Sequence, residues 1–344
     1  MRKPLILLIL LIVLGIIAYS LIKKNSGENK NIIAGYDFSY RDFAVKDIDK
    51  IKKIIIYKRN GEIVNLKKVN DDYWTLNDKY KADIVLVKNL LSAIKNVTIK
   101  YVPTDAAIEN IMKGMLNYGI KVEIYGQDDK PLKKYYVGTA ADNSKGTFFV
   151  MEGSPKPLVM TMPAFTGDIR VRYNYTITEW RDKSIFNENP DSIVDVRIDY
   201  PVYKDASFEL RKEGGKFNLY PVYDDKKAIA GKVDQKKVKD YLLAFKNKKA
   251  EAFENDIEDK EDIIRSQPLA KIELTKADGK KKKLKIFMIS GYEDMMKEED
   301  KGINKYLNDS ILRYFAYNPQ TGDLFLIQYV VFEDIFKDYS YFLQ

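Results

Sequence analysis

The sequence contains no cysteine and no histidine. Without cysteine the chain cannot form disulfide bonds, so neither half can be a small cross-linked fold. Ser-His-Asp triads, Cys-His pairs and zinc sites with His or Cys ligands are excluded as well. The side chain that most often transfers protons near neutral pH is also missing. The chemistries left open are a carboxylate pair, a Ser-Lys pair, a lysine imine and a metal site of oxygen ligands.

The glycine patterns that hold phosphate groups are absent too. Neither Gly-x-x-x-x-Gly-Lys-Ser/Thr nor Gly-x-Gly-x-x-Gly occurs, so the sequence indicates no nucleotide cofactor. The net charge is +8, from 58 Lys and Arg against 50 Asp and Glu. Because the two signs are interleaved, we expect a solvated surface and no nucleic-acid partner. We also expect no other cofactor.

One long hydrophobic run stands near the N-terminus. Two basic residues precede apolar residues 4–22, and two lysines follow them. As a helix this run would span about 28 Å, close to the ~30 Å hydrocarbon core of a bilayer. We predict a transmembrane anchor at residues 1–24, with the bulk of the chain translocated. The alternative is a signal peptide cleaved after Ser20, because small residues occupy positions 18 and 20.

The chain beyond the anchor shows one pattern twice. Residues 25–42 are polar and predict a linker. After it, a constant shift of 143 residues aligns hydrophobic positions: Phe43 with Phe186, Ile51 with Val194, Ile55 with Ile198, Tyr57 with Tyr200, Trp74 with Phe217 and Leu76 with Leu219. The pattern predicts two domains, 43–182 and 183–344, that repeat one unit. Chance similarity between two β-rich halves is the alternative.

Periodicity predicts strands and two helices in each half. In the first half, helices are predicted at 83–96, with Asp83 as N-cap, and at 104–116, and strands at 51–57, 63–69, 73–76, 120–125, 132–137, 146–151 and 158–162. In the second half, helices are predicted at 233–245 and 253–265, and strands at 270–274, 283–289, 311–317 and 324–330. Short connections favour antiparallel neighbours. The predicted fold class is α+β: an N-terminal transmembrane helix, then two tandem repeats of an antiparallel sheet with packed helices.

Five segments are distinctive in combination: the apolar N-terminus, Phe43-Ala-Val-Lys-Asp, Gly119-Ile-Lys-Val-Glu-Ile-Tyr, Tyr136-Val-Gly, and Trp180-Arg-Asp with Ser184-Ile-Phe. Through these five segments the chain resembles the bacterial family catalogued as domain of unknown function 4340. The resemblance implies a single-pass protein of the bacterial inner membrane, with the bulk of the chain periplasmic or extracellular. Some members are linked with gliding-type ABC transporter auxiliary proteins. No catalytic residue is established for the family, so the resemblance assigns none.

Short motifs that could carry chemistry are weak. Ser92 and Lys95 have the Ser-x-x-Lys spacing of penicillin-recognising enzymes, but the partner motifs Ser-Asp-Asn and Lys-Thr-Gly do not occur. Adjacent aspartates fall in predicted turns, where carboxylates are usually solvated. In the acidic stretch 256–262, Glu261 stands where a calcium loop requires glycine. A helix start is therefore favoured over calcium binding, and we predict no catalytic residue.

Trp180, Arg181 and Asp182 form the first candidate interaction or joint site. They stand just before the second copy of the pattern. The tryptophan could wedge between the two domains, or it could close the first core from its own edge. Both interpretations stay open from the sequence.

Four adjacent lysines form the second candidate site: Lys280, Lys281, Lys282 and Lys283. They follow Gly279 between two predicted strands. Lysines in such a place most often protect a sheet edge from unwanted pairing. Binding of an anionic polymer is the alternative.

The sequence supports two hypotheses of function. The first is a membrane-anchored, extracytoplasmic, non-catalytic binding or scaffold protein. It would be an accessory component of a membrane assembly, with protein partners there and residues 4–22 in the membrane. The second is an extracytoplasmic polysaccharide-active or envelope-polymer-binding protein that uses carboxylates and exposed tyrosines.

Overall fold

The computed structural model describes residues 39–141, 145–223, 233–289 and 313–344, with two short strands at 32–33 and 36–37. The predicted anchor at residues 1–24 lies outside these residues. Within them, no helix has the length and apolar character needed to cross a membrane. The chain divides into two compact units, Met1–Asp182 and Lys183–Gln344. The division falls at the position where the sequence pattern begins its second copy.

The first unit contains a nine-stranded antiparallel sheet in the order β6-β5-β4-β3-β8-β9-β10-β11-β7. Its strands are β1 (Ile32–Ile33), β2 (Tyr36–Asp37), β3 (Lys53–Tyr57), β4 (Ile63–Asn70), β5 (Tyr73–Leu76), β6 (Tyr80–Lys81), β7 (Thr98–Tyr101), β8 (Ile120–Tyr125), β9 (Pro131–Ala140), β10 (Thr147–Met151) and β11 (Leu158–Thr161). Its helices are α1 (Ile84–Asn96), α2 (Asp105–Tyr118) and α3 (Ile177–Trp180). The short strands β1 and β2 pair with each other.

The second unit contains an eight-stranded antiparallel sheet in the order β15-β14-β13-β18-β19-β20-β21-β17. Its strands are β12 (Ser184–Phe186), β13 (Ile193–Asp199), β14 (Phe208–Glu213), β15 (Lys216–Pro221), β16 (Lys248–Lys249), β17 (Ala252–Phe253), β18 (Ala270–Lys276), β19 (Lys281–Met288), β20 (Arg313–Asn318) and β21 (Asp323–Gln328). Its helices are α4 (Gln235–Leu243), α5 (Lys260–Arg265) and α6 (Tyr329–Phe332). Strands β12 and β16 pair separately.

The two sheets share one strand order. The run β5-β4-β3-β8-β9-β10-β11-β7 in the first corresponds to β15-β14-β13-β18-β19-β20-β21-β17 in the second. In both, a strand that follows the first long helix, β7 or β17, lies at the far edge beside the last strand of the meander. The α+β class with large antiparallel sheets and few helices is confirmed.

Strand pairing shows which residues of the two sheets correspond. Ile54 is buried opposite Ile124 in β8, and Val196 is buried opposite Leu274 in β18. Ile54 therefore corresponds to Val196, a shift of one residue less than the predicted 143. Three predicted pairs are therefore wrong by one residue: Ile51–Val194, Ile55–Ile198 and Tyr57–Tyr200. Two pairs are confirmed, because their residues lie opposite equivalent residues of β4 and β14: Trp74–Phe217 and Leu76–Leu219.

The error has a physical cause. A strand turns alternate side chains to opposite faces, so a shift of one residue exchanges the two faces. Ile54, Ile55 and Ile56 are consecutive isoleucines, and such a run gives no alternation from which to choose a register. In the structure Ile54 and Ile56 are buried in the core and Ile55 is only half-buried.

Each sheet buries one face against a helix, and we call this face the inner face. In the first unit α1 contributes Val87, Leu90, Ala93 and Ile94 to the core. Asp83 caps this helix, because its carboxylate accepts hydrogen bonds from the amides of Val85 (2.8 Å) and Leu86 (3.3 Å). The predicted helix and its cap are confirmed. In the second unit α4 takes the same role with Val238, Tyr241 and Leu242.

The predicted helix at 253–265 is too long, because α5 begins only at Lys260. The preceding segment is held against β21 instead. The Glu254 amide donates to Leu324 O at 2.8 Å, and Asn255 Oδ1 accepts from the Leu324 amide at 2.8 Å. These contacts fix an extended backbone. The equivalent edge strand β7 was not predicted either, because three of its four residues are exposed and show no alternation.

Candidate functional site

Alternate side chains of the first sheet point away from the core, on what we call the outer face. Helix α2 lies over this face and packs on β9. Between them is a cavity of about 690 Å³, within the range of ~300–1,000 Å³ that small-molecule sites occupy. Tyr57, Lys121, Tyr136 and Val150 line it from the sheet.

Helix α2 is anchored to the sheet by Met115. Met115 is its only buried residue. A Cβ atom on Gly138 would lie 2.7 Å from Met115 Sδ and Cε and 3.1 Å from Phe148 O. A side chain at this strand position would therefore displace the end of the methionine, and glycine leaves room for it. The rest of the helix is half-buried or exposed, and the cavity lies beside Met115.

The cavity wall is mainly apolar and rich in methionine. Met112, Met115 and Leu116 line it from the helix, and Val150 and Met151 line it from β10. Methionine side chains are unbranched and polarisable, and they adapt to ligands of different shape. The wall is thus suited to an apolar group.

A buried carboxylate organises the polar side of the outer face. Glu123 accepts hydrogen bonds from the hydroxyls of Tyr125 (2.6 Å) and Tyr57 (3.3 Å). Lys121 Nζ lies 2.9 Å from Glu123 and 2.9 Å from Glu152. The five side chains form one network in which each charge faces an opposite charge or a hydroxyl donor.

The network shifts the pKa values of its members in opposite directions. Burial raises the pKa of Glu123, but the hydrogen bonds from Lys121 and Tyr125 outweigh it, so the pKa lies below its usual value. The hydrogen bond to Glu123, aided by burial, raises the pKa of Tyr125 to about 12. Hydrogen bonds to Glu123 and Glu152 raise the pKa of Lys121. These charges are therefore held in place near neutral pH.

Two cationic residues stand where the cavity meets the β3–β4 turn. Lys58 Nζ pairs with Glu62 at 2.8 Å and donates to Tyr175 O at 2.6 Å. Arg59 is exposed, and its Nη2 donates to Met115 O at 3.1 Å. Lys58 is neutralised, and Arg59 ties the C-terminal end of α2 to the rim of the cavity.

The sequence did not predict this site. Segments 119–125 and 136–138, which carry the family resemblance, supply Lys121, Glu123 and Tyr136, but their placement on one face needs the strand pairing. Gly138 directly follows the predicted strand 132–137 and lies within β9 in the structure. A glycine within a strand often marks a close approach of another group, so a longer predicted strand would have given a signal.

The outer face of the second sheet carries a ladder of charges instead. Asp195 and Glu209 lie on neighbouring strands, and Arg211 contacts both, at 3.7 Å from Asp195. Arg197 lies 3.3 Å from Glu209. Burial and the neighbouring Glu209 raise the pKa of Asp195 to about 6. An open groove of about 530 Å³ runs along these residues.

Equivalent positions explain the difference between the faces. Val137 and Ile286 pair with the equivalent residues Ile120 and Ala270. The next residues, Gly138 and Phe287, therefore correspond. Phe287 is buried on the outer face of the second sheet, whereas Gly138 admits Met115 from α2.

Trp180, Arg181 and Asp182 all close the first unit. Trp180 is fully buried in the core of that unit. Arg181 lies over the ring of Tyr80, 4.1 Å from its centroid, and Asp182 pairs with Lys81 at 2.6 Å. The backbone of the three residues also pairs with residues 81–83. Trp180 therefore lies where it would close the first core from its own edge, the second of the two interpretations of the sequence.

The four lysines lie on different sides of β19. Lys280 pairs with Asp278 in the preceding turn at 2.9 Å. Lys282 points to the inner side, 2.6 Å from the buried Glu188, and Lys283 pairs with Glu273 on the outer side at 3.0 Å. They therefore do not form one cationic patch.

The interpretation of these lysines as edge protection stays a prediction, because the pairing of β19 with β20 begins only at Lys285, beyond the lysines. Strand β19 is internal, with β18 on one side and β20 on the other. Where β20 has ended, the Gln320 side chain continues the pairing: it accepts from the Lys283 amide at 3.1 Å and donates to Lys281 O at 3.0 Å. Binding of an anionic polymer by Lys281 and its neighbours stays a prediction.

Across the part of the chain that the structure describes, no three acidic side chains are placed to hold a metal ion. The stretch 256–262 is included in that part. Asp259 is the N-cap residue of α5 but makes no side-chain capping hydrogen bond.

Comparison with known proteins identifies the family. The family model described as Domain of unknown function (DUF4340) matches residues 74–268, which include parts of both units. No curated protein and no solved structure matches the chain. The matched stretch covers more than half of the 344 residues. The chain therefore belongs to the family described as Domain of unknown function (DUF4340).

Proposed function

We propose that this protein is a membrane-anchored, extracytoplasmic, non-catalytic binding or scaffold protein, an accessory component of a membrane assembly such as a gliding-type ABC transporter. The apolar residues 4–22 support the anchor. The common strand order of the two sheets supports a tandem repeat that follows it. Residues 1–24 would hold the protein in the inner membrane, and the two units would lie outside the cytoplasm.

The observation that carries the proposal is the apolar end of α2 beside the cavity. Leu116 is 68% exposed and Tyr118 is 60% exposed, and Leu116 also lines the cavity. A large exposed side chain that continues into a concave apolar wall is typical of an interaction site. The first unit would use this surface to bind its partner.

Site-specific photo-cross-linking tests the proposal. A benzophenone amino acid replaces Leu116 in the full-length protein in its native membranes. The matched control replaces Val85, which is 55% exposed on α1. We expect an adduct with a membrane protein from position 116 and none from position 85, and we expect the same protein to co-purify in mild detergent. Equal adducts, or purification of a lone monomer, would contradict the proposal.

The groove of the second unit favours a second candidate, binding or cleavage of an envelope polysaccharide. The raised pKa of Asp195, about 6, suits a carboxyl group that exchanges protons near neutral pH. Sedimentation with purified peptidoglycan sacculi, and assay of the released reducing ends, tests this candidate. Asp195→Asn should abolish both signals, and Asp191→Asn, in the exposed turn before β13, should change neither. Wild-type protein that neither sediments nor releases sugar would remove the candidate.

A further inference from the structure

We propose that the cavity beneath α2 binds one long-chain carboxylate, with the chain along the methionine wall and the head group at Arg59. The inference goes beyond the proposed function, because it assigns a small ligand to the cavity itself, whereas the protein partner would bind at the exposed surface around Leu116. It rests on the assignment of that cavity as a binding site.

The lining favours an unbranched apolar chain. Met112, Met115 and Met151 face the cavity together with Leu116 and Val150. These flexible side chains can follow a linear chain along its length. Burial of each methylene group of such a chain contributes about 0.8 kcal/mol, so a long chain gains far more than a short one.

The charge balance favours a single negative charge. Lys58 is paired with Glu62, and Lys121 is shared between Glu123 and Glu152. Lys134 lies 3.7 Å from Glu123. Lys121 and Lys134 together therefore balance the negative charges of Glu123 and Glu152. Among the described residues, no Asp or Glu forms an ion pair with Arg59.

One uncompensated guanidinium therefore stands at the mouth of an apolar cavity. Arg59 uses one hydrogen bond on Met115 O, at 3.1 Å, and its fork has further N–H donors. The planar guanidinium matches a carboxylate with two parallel hydrogen bonds. A carboxylate head also brings the one negative charge that the cavity lacks.

A polypeptide segment fits the same lining less well. Each buried residue of a peptide brings an amide donor and a carbonyl acceptor that need partners. The side chains of the cavity offer few free polar groups: Ser154 Oγ already accepts from the Lys156 amide at 3.1 Å, and the hydroxyl of Tyr136 remains. A hydrocarbon chain has no such requirement.

Photolabelling of the full-length protein in phosphatidylcholine nanodiscs tests the inference. The probe is palmitate with a diazirine on its chain, and the control is the same chain with a trimethylammonium head. Labelled peptides are mapped by mass spectrometry. We expect palmitate to label segments 112–116 and 150–151 about tenfold more than the cationic probe, since a charge-assisted hydrogen bond has about that effect on affinity.

Charge reversal separates recognition from a structural role of Arg59. In Arg59→Glu we expect labelling by palmitate to fall about tenfold and labelling by the cationic probe to rise. Lys88→Glu, which reverses an exposed charge on α1, should change neither. A variant in which α2 is merely displaced would lose both labels alike, and that result would overturn the inference.

Two other results would also overturn it: equal labelling by both probes, and labelling confined to segments outside the cavity. The inference and the proposed function can fail separately. If the two probes label the cavity equally but position 116 still forms a protein adduct, only the carboxylate ligand is contradicted. If palmitate labels the cavity selectively but position 116 forms no adduct, only the protein scaffold is contradicted.

Discussion

The outer faces of the two sheets differ, although the strands behind them have the same order. On the first, Gly138 admits Met115 from a fourteen-residue helix, and a cavity remains beside it. On the second, Phe287 occupies the equivalent position, the corresponding helix has six residues, and the remaining surface is a ladder of paired charges. The inner faces are alike, with buried aliphatic residues at equivalent positions. One strand order therefore supports two different surfaces. The difference lies in the outward-facing strand residues, which alternate along each strand with those that point into the core.

The largest expected effect tests the likeness of the inner faces. Leu66 and Leu210 are fully buried and occupy equivalent positions, opposite Leu76 and Leu219. Because each substitution leaves a cavity in a core, Leu66→Ala and Leu210→Ala should each lower the free energy of unfolding by about 2–5 kcal/mol. Hydrogen exchange followed by mass spectrometry assigns each loss to its unit. A cost several-fold larger in one unit would show that the two cores are not equivalent.

The next effect tests Gly138, the residue by which the two outer faces differ. Gly138→Phe gives the first sheet the phenylalanine that the second sheet has at the equivalent position, Phe287. Its side chain would collide with Met115 and Phe148 O, so we expect a loss of about 1–3 kcal/mol and displacement of α2. Exchange of the α2 amides measures the displacement. If they stay protected, Met115 and Gly138 do not seat the helix.

Asp195 in the second unit and Glu123 in the first should contribute to the pH dependence of stability with opposite signs. The pKa of Asp195 is raised to about 6 from 3.8, so protonation stabilises the second unit at low pH and this contribution is lost as pH rises through 6. The pKa of Glu123 is lowered from 4.5, so its contribution to the first unit is present above that value and lost as pH falls below it.

Unfolding of each unit between pH 3 and pH 8 checks this contrast. Allowing for solvent screening, we expect Asp195 to change the stability of the second unit by about 1–2 kcal/mol. Asp195→Asn should remove the contribution that is lost as pH rises, and Glu123→Gln the contribution that is lost as pH falls. Each variant is compared with the wild type, because other carboxyls of the second unit, such as Glu188, have a lowered pKa. Differences of the same sign for the two variants would refute the opposite arrangement of these carboxyls.

The smallest effect is a stabilisation. Gly114 lies within α2, and a Cβ there would meet nothing within 4 Å. Gly114→Ala should therefore raise the helix propensity without a collision and add about 0.5–1 kcal/mol. It is also the matched control for Gly138→Phe, since both change a glycine beside the same helix contact. Thermal unfolding measures the gain, and a loss would mean that Gly114 has a role in packing.

Much of the fold could be predicted from the sequence where local patterns are strong. Helix α1 has apolar residues at three- and four-residue spacing and a capping aspartate, and both were found. Asn60-Gly61, a pair typical of hairpin turns, connects β3 and β4, with Gly61 at φ +86°. The strand register failed at Ile54–Ile56 because the run lacks alternation, and β7 was missed because its residues are mostly exposed.

The candidate site was beyond local patterns, because its parts come from distant segments. Met115 and Gly138 lie 23 positions apart in the sequence, and their contact depends on how α2 crosses the sheet. The lysines at 280–283 show the opposite case. They form a strong local pattern, yet the turn before β19 and the alternation of the strand divide three of them, Lys280, Lys282 and Lys283, among separate ion pairs.

The most direct measurement compares photo-cross-linking from the two units in native membranes. One position is Leu116 on α2, and the other is Leu243 on α4, which is 53% exposed. We predict an adduct from Leu116 that Gly138→Phe reduces about tenfold, equivalent to ~1.4 kcal/mol, and no adduct from Leu243. Equal adducts from both positions, or an adduct at Leu116 that survives Gly138→Phe unchanged, would contradict a binding surface confined to the outer face of the first sheet.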